Sequence, residues 1–198
     1  MIRSAVLAEL KDIISDEFVV CNIGIPSQEL HALDDQPTNF YMLGTMGLAS
    51  SIGLGLALVQ KQNVIAIDGD GSILTNLGTL ATIANNATGN FTLLIIDNGS
   101  YGSTGDQPTY AGQKTALAAV ARACGCRNVA EVPGKETAAA VKAALACDEM
   151  TIIVSKCASG NRKEPVITMD PVVIRDRFMR TLAQRNGNVP KEGIRAAG

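Results

Sequence analysis

The sequence predicts a single doubly wound α/β domain with a mainly parallel sheet. Three observations lead there. Short apolar runs recur along the chain, among them FVVC at 18–21, VIAI at 64–67 and FTLLIID at 91–97. Stretches with helical spacing separate them. The runs are continuous rather than alternating, the pattern of strands buried on both faces between two layers of helices.

In chain order, residues 2–15 carry the spacing of an amphipathic helix, and Phe18–Cys21 form the first buried strand. Ser27 is placed to cap a short helix through Leu33. Phe40–Leu43 make a second strand, which ends in the turn Gly44-Thr45-Met46-Gly47. Residues 48–59 are a helix of small and apolar residues, too apolar to face water. The strand Val64–Ile67 leads into Gly69-Asp70-Gly71-Ser72, and a helix follows over 73–86. The strand Phe91–Asp97 ends at Asn98, and a loop rich in Gly, Ser and Thr continues to about 113. A helix (115–124), a strand (128–131), a helix (135–146) and a strand (150–154) follow. Beyond Pro171, Ile174, Phe178 and Leu182 recur at every fourth position of a last amphipathic helix. No repeat or linker divides the chain, so one domain is expected over 1–184. The polar, Gly-rich residues 185–198 are expected to form a frayed tail.

Composition excludes several classes of function. A net charge of −2 without any basic run is unsuited to nucleic acid, whose phosphates require clustered Lys and Arg. No apolar stretch approaches the roughly 20 residues that span a bilayer. The first helix carries acidic residues that a signal peptide would lack, so a cytoplasmic protein is expected. Cys21, Cys124, Cys126, Cys147 and Cys157 have no paired metal-ligand spacing and are expected to be free thiols. Charged residues are only 18% of the chain, where about a quarter is usual. Either many small residues or a face buried on another chain would account for that.

Open α/β sheets place ligands beyond the carboxyl ends of their strands, which directs attention to 22–27, 44–47, 68–72 and 98 onward. Gly69-Asp70-Gly71-Ser72 lies between a buried strand and a helix start, where backbone N–H groups can face an anion. Asp70 would repel a bare phosphate there, unless a divalent cation bridges the two. Mg²⁺ suits that mixture of carboxylate, carbonyl, phosphate and water. A second ligand is expected from the neighbouring strand end. Asn98 closes the next strand after the 26 residues from Ser72 through Asp97, one helix and one strand later.

GDG followed at this distance by Asn resembles the hallmark of the thiamine-diphosphate enzymes. The resemblance implies that Asp70, Asn98 and the carbonyl of Ser100 hold Mg²⁺, with Gly69, Gly71 and Ser72 at the diphosphate. It implies that Met46 wedges between the two rings of the bent cofactor while the Gly44 carbonyl receives the aminopyrimidine amine. The loop 21–27 falls at the family's diphosphate loop, which makes Gly24 and Ser27 candidates, although Ile25 and Pro26 depart from the usual pattern. Asn22 is the alternative residue of this loop, facing the substrate.

Three longer segments, MLGTMGLASSIGLGLAL, IDGDGSILTNLGTLATIA and DNGSYGSTGDQPT, are similar to the cofactor-binding subunits of sulfopyruvate decarboxylases. The carboxyl-terminal half of phosphonopyruvate decarboxylases has similar segments. This likeness implies decarboxylation of sulfopyruvate to sulfoacetaldehyde and CO₂, on a route to coenzyme M, with the cofactor as electron sink. It also implies a partner (alpha) subunit with the pyrimidine-binding domain and the glutamate that activates the cofactor. Glu9, Glu17 and Glu29 lie in the wrong domain for that task.

Ser103, Thr104 and Gln107 are candidates for substrate contact, since they follow the metal-site segment. No Arg or Lys lies within the motif segments, which leaves a sulfonate without a cation unless the partner supplies one. His31, the only histidine, is a lesser candidate for proton transfer, and Lys156, Arg162 and Lys163 read as a solvated face. Phosphonopyruvate or another short 2-oxoacid is the alternative substrate. A non-catalytic nucleotide-binding module is the alternative of another class. A dinucleotide-binding fold is disfavoured: no G-x-G-x-x-G opens a helix after the first strand, and Gly53-Leu54-Gly55 lies within a helix.

Overall fold

A computed structural model of the chain describes residues 1–187. Helix α1 (Arg3–Leu10) precedes β1 (Phe18–Cys21), and α2 (Ile25–Leu33) precedes β2 (Asn39–Tyr41). Next come α3 (Ala49–Ala57), β3 (Val64–Gly69), α4 (Asp70–Leu74), α5 (Gly78–Asn86) and β4 (Phe91–Asp97). A small antiparallel pair, β5 (Ser100–Tyr101) and β6 (Gln107–Pro108), encloses a 3-10 turn at Gly102–Thr104. The chain continues through α6 (Leu117–Ala123), β7 (Asn128–Pro133), α7 (Thr137–Leu145), β8 (Thr151–Lys156) and α8 (Pro171–Arg185).

Six strands form one parallel sheet in the order β2-β1-β3-β4-β8-β7. The strands β1, β3, β4 and β8 are buried along nearly their whole length, as continuous apolar runs require. Alternate residues feed two cores. Val64, Ala66, Phe91, Leu93 and Ile95 face α3, α4, α5 and α6 through Leu54, Ile73, Leu80, Ile83 and Leu117. Ile65, Ile67, Leu94 and Ile96 face α1, α2 and α7 through Val6, Leu7, Leu10, Leu30 and Val141. Each large aliphatic or aromatic side chain buried this way contributes about 1.5–3 kcal/mol. Helix α8 closes the β2 edge, its Phe178 ring edge-on to Phe18 at 5.5 Å.

Several boundaries differ from expectation. Helix α1 stops at Leu10, short of residue 15, although the N–H groups of Ile13 and Ile14 still reach the Leu10 carbonyl. Helix α2 begins at Ile25, with Gly24 at φ +75° before it and Pro26 in its first turn. Ser27 therefore lies within the helix rather than at its cap, because proline's fixed φ already suits the opening turn. The helix expected over 73–86 is two helices. The first starts at Asp70 itself, and between them Thr75 Oγ1 donates to the Ser72 carbonyl at 2.7 Å and Asn76 Nδ2 to the Gly47 carbonyl at 2.9 Å. Helix α8 runs to Arg185, and most of the expected tail, 188–198, lies outside the described residues.

Candidate functional site

Pairing puts Cys21 beside Ile67 and Gly69 beside Ile96, so Asn22, Asp70 and Asn98 emerge along one edge of the sheet. The strand order reverses between β1 and β3, since β2 lies on one side of β1 and β3 on the other. A cleft opens there. Its wall includes Arg3, Asn22–Gly24, Pro26, Met46, Asp68–Ser72, Asn98 and Ser100–Thr104.

The loops around the cleft are tied to one another. The Gly47 N–H donates to Ser72 Oγ at 2.7 Å, and Ser72 Oγ donates to Asn22 Oδ1 at 3.1 Å. Asn22 Oδ1 also receives the Ile23 N–H at 2.8 Å. A Cβ on Gly47, which has φ +83°, would lie 2.5 Å from Thr75 Oγ1, so only glycine fits this turn. A Cβ on Gly71 would overlap the Tyr101 ring.

Carboxylates concentrate at the floor. Asp70 is 2% exposed, and its Oδ2 accepts a hydrogen bond from Thr109 Oγ1. Burial pushes its carboxyl up, the Thr109 hydroxyl pulls it down, and the nearby Asp97 charge raises it again. Asp97 accepts the Gly99 N–H at 3.2 Å and pairs with Lys156 Nζ at 2.5 Å. Asp68 is buried, and desolvation pushes it up to about 6. Its Oδ1 takes the Gly69 N–H at 2.9 Å, while Oδ2 has no partner among the described residues. Asn98 Oδ1 accepts the Ser100 N–H at 3.2 Å, and its buried Nδ2 is likewise unpartnered. A carboxylate, an amide oxygen and a backbone carbonyl are hard oxygen ligands, and an excess of buried negative charge favours a cation among them.

The cleft brings together Gly24, Met46, Gly69, Asp70, Gly71, Ser72, Asn98, Ser100, Ser103 and Thr104. Three other expected site residues are not part of its wall. Ser27 is buried, its hydroxyl donating to the Asn22 carbonyl at 2.7 Å. Gly44 borders a neighbouring hollow with Leu43, Leu48 and Ile52. Gln107 is exposed and bonded to Thr104. His31 stacks edge-on against Tyr41 at 5.3 Å, also off the cleft wall. Lys156 is not merely solvated, since the pairing of β8 with β4 carries its ammonium to buried Asp97. Arg162, 60% exposed along its side chain, meets Glu164.

Arg3, Asp68 and Thr109 are the residues that sequence reasoning passed over. Asp68 immediately precedes the glycine turn, and Thr109 closes a segment already singled out. Arg3 gave no signal, being a polar residue in the first turn of a helix.

Comparison with known proteins matches this arrangement to a family. Residues 26–155 match the family described as thiamine pyrophosphate enzyme, C-terminal TPP binding domain. The chain is 47% identical over 180 residues to the sulfopyruvate decarboxylase subunit beta of Methanococcus maripaludis, covering 91% of this chain and 97% of that one. It is 43% identical over 183 residues to the sulfopyruvate decarboxylase of Methanosarcina acetivorans, covering 92% of this chain but 47% of the relative. The fold is shared with the thiamine diphosphate-dependent 4-hydroxybenzoylformate decarboxylase of Rhodococcus jostii RHA1. The TM-score there is 0.67 at 21% identity, covering 82% of this chain and 33% of that one. With its GDG turn and Asn98 on one cleft at the sheet's switch point, the chain belongs to the thiamine pyrophosphate enzymes and carries their C-terminal TPP-binding domain.

Proposed function

We propose that this chain is the cofactor-binding (beta) subunit of a thiamine-diphosphate-dependent decarboxylase that converts sulfopyruvate to sulfoacetaldehyde and CO₂. The observation that carries the proposal is the cleft itself, which gathers Asp70, Asn98, Ser100 and Met46 beside three strand ends. The substrate follows from the similarity to decarboxylases of sulfopyruvate. The coenzyme M route follows from the same likeness. A cytoplasmic setting accords with five free thiols and with the absence of a membrane-spanning helix among the described residues. The catalytic unit is the domain over 1–184.

Asp70, Asn98 and the Ser100 carbonyl are assigned to Mg²⁺, whose charge answers the buried carboxylates of Asp70 and Asp68, Asp97 being paired with Lys156. The backbone N–H groups of Gly24, Gly71 and Ser72 are assigned to the diphosphate, with Gly69 leaving room for it. Met46, 39% exposed at the cleft, is assigned as the wedge that bends the cofactor. Gly44 and Ser27 act from outside the cleft wall, Ser27 by bracing the loop after β1. Thiamine diphosphate, when bound, supplies the electron sink for loss of CO₂. Ser103 and Thr104 present hydroxyls to the substrate, and Gln107 steadies Thr104 through its 2.9 Å bond.

No glutamate is part of the cleft wall among the described residues, and an activating carboxylate is assigned to an alpha subunit that carries the pyrimidine-binding domain. The relative from Methanosarcina is about twice as long as the matched region, which is consistent with both parts fused in one chain there.

The test is CO₂ release from sulfopyruvate and phosphonopyruvate, with Mg²⁺ and thiamine diphosphate, for the chain with and without that partner. Sulfopyruvate turnover is expected only in the mixture, and Asp70→Ala is expected to abolish Mg²⁺-dependent cofactor binding. Equal activity from the chain alone would refute the shared site. Preference for phosphonopyruvate would replace the substrate and leave the cofactor assignment standing.

A further inference from the structure

Arg3 enters the cleft wall from the far end of the sequence. The first turn of α1 lies at the carboxyl edge of the sheet, where Ile2 bridges to Ala158 and the Ala158 N–H donates to the Met1 carbonyl at 2.9 Å. The guanidinium is held on one side only. Nε donates to Glu29 Oε2 at 2.7 Å, and Nη2 donates to Glu29 Oε1 at 3.2 Å and to Asn161 Oδ1 at 2.9 Å. Glu29 is fully buried and also accepts the Arg162 N–H at 3.0 Å. Asn161 in turn donates to the Gly102 carbonyl at 3.0 Å, and a Cβ on Gly102 would lie 2.6 Å from its amide. Three remote segments, at Glu29, Asn161–Arg162 and Gly102, thus fix the plane of one side chain beside the turn that carries Ser103 and Thr104.

The other amino group, Nη1, has no hydrogen-bond partner among the described residues and, unlike Asn98 Nδ2, is not sealed from solvent. Arg3 is itself 7% exposed, and that remaining access coincides with its place in the cleft wall. Among the described residues it is the only cation in a wall that also carries Asp68 and Asp70. With Glu29 holding the Nε edge, Nη1 keeps two unspent N–H donors on a residue of the cleft wall. Stability alone does not account for such a pair, because apolar residues of similar volume in place of a buried ion pair are often neutral or stabilising.

We propose that Arg3 is an oxyanion-binding residue of the cleft, aimed by Glu29 and Asn161, whose Nη1 donates to phosphoryl or sulfonate oxygens. The assignment rests on the proposed cofactor and substrate. Two sources share this chemistry, the diphosphate of thiamine diphosphate and the second anion of sulfopyruvate.

The test uses the complex of this chain with its alpha subunit, in three forms: wild type, Arg3→Lys, and the double variant Arg3→Met with Glu29→Leu. The double variant removes both charges, so no carboxylate is left buried alone, and its melting temperature is compared with wild type to check the fold. Calorimetry compares thiamine diphosphate with thiamine, which has no phosphate, and steady-state kinetics compares sulfopyruvate with pyruvate, which has no second anion. Loss of a charge-assisted contact lowers affinity about tenfold or more. A loss of that size for thiamine diphosphate but not for thiamine would assign Nη1 to the diphosphate. An unchanged cofactor affinity with a tenfold fall in kcat/KM for sulfopyruvate relative to pyruvate would assign it to the substrate. If both comparisons match wild type in the double variant, Arg3 is a packing residue and the assignment is overturned. Failure of the wild-type complex to bind thiamine diphosphate would overturn the cofactor reading and this assignment with it.

Discussion

The carboxyl of Asp68 illustrates how one residue sets a measurable pH dependence. Burial raises it from 3.8 to about 6 and leaves one oxygen unpartnered. An acid raised in the folded state favours folding below its unfolded value, and that contribution is lost as pH rises through the folded value. Without divalent metal, Asp68 therefore costs about 3 kcal/mol at pH 7 relative to pH below 4. Asp68→Asn is expected to be stabilising by that amount at pH 7 and to lose its advantage between pH 6 and 4. Urea titrations in chelator would show it, and a difference that stayed flat across that window would contradict it. The site was partly legible at this scale. Asp70, Asn98, Met46 and Gly24 stand in local patterns whose turn chemistry is written in neighbouring residues. Arg3, Thr109 and the pairing of Lys156 with Asp97 were not legible, because each partner arrives through strand pairing or helix docking from a distant part of the chain.

Helix α3 shows the same division among elements. Its small, apolar composition predicts a helix shielded from water, but only one side is buried, with Gly55 and Leu58 exposed. Of its two glycines only Gly53 serves close packing. A Cβ at Gly53 would lie 2.9 Å from Ala66 Cβ and 3.0 Å from the Phe91 ring, whereas nothing lies within 4 Å of one at Gly55. Gly53→Ala is expected to destabilise the fold by about 1–3 kcal/mol through overpacking. Gly55→Ala is expected to stabilise it by about 0.5–1 kcal/mol through helix propensity. Opposite shifts in denaturation midpoint from two glycines two positions apart would verify the packing, and equal shifts would contradict it. Elements with uninterrupted apolar runs, such as β3 and β4, were legible almost to their ends. The break between α4 and α5 was not, because Asn76 leaves the helical pattern to bond a loop 29 residues earlier.

For the whole molecule, parallel topology and one domain followed from the order of apolar runs, while the strand order and the cleft required the structure. Leu43, Met46 and Leu48 are 51%, 39% and 37% exposed near the cleft mouth, more apolar surface than an isolated chain gains from. In the proposed enzyme the alpha subunit covers them. Leu43→Asp is expected to weaken that association about tenfold or more, with little change in the melting temperature of the chain alone. Analytical ultracentrifugation of the mixture would measure it, and unchanged association would place the interface elsewhere. The hydrogen-bonded chain from Gly47 through Ser72 to Asn22 has a consequence for kinetics. Loops already fastened to one another lose little conformational entropy when a ligand settles among them. Capture in this half of the site should therefore proceed at a rate set by encounter, leaving slow rearrangement to the junction between subunits.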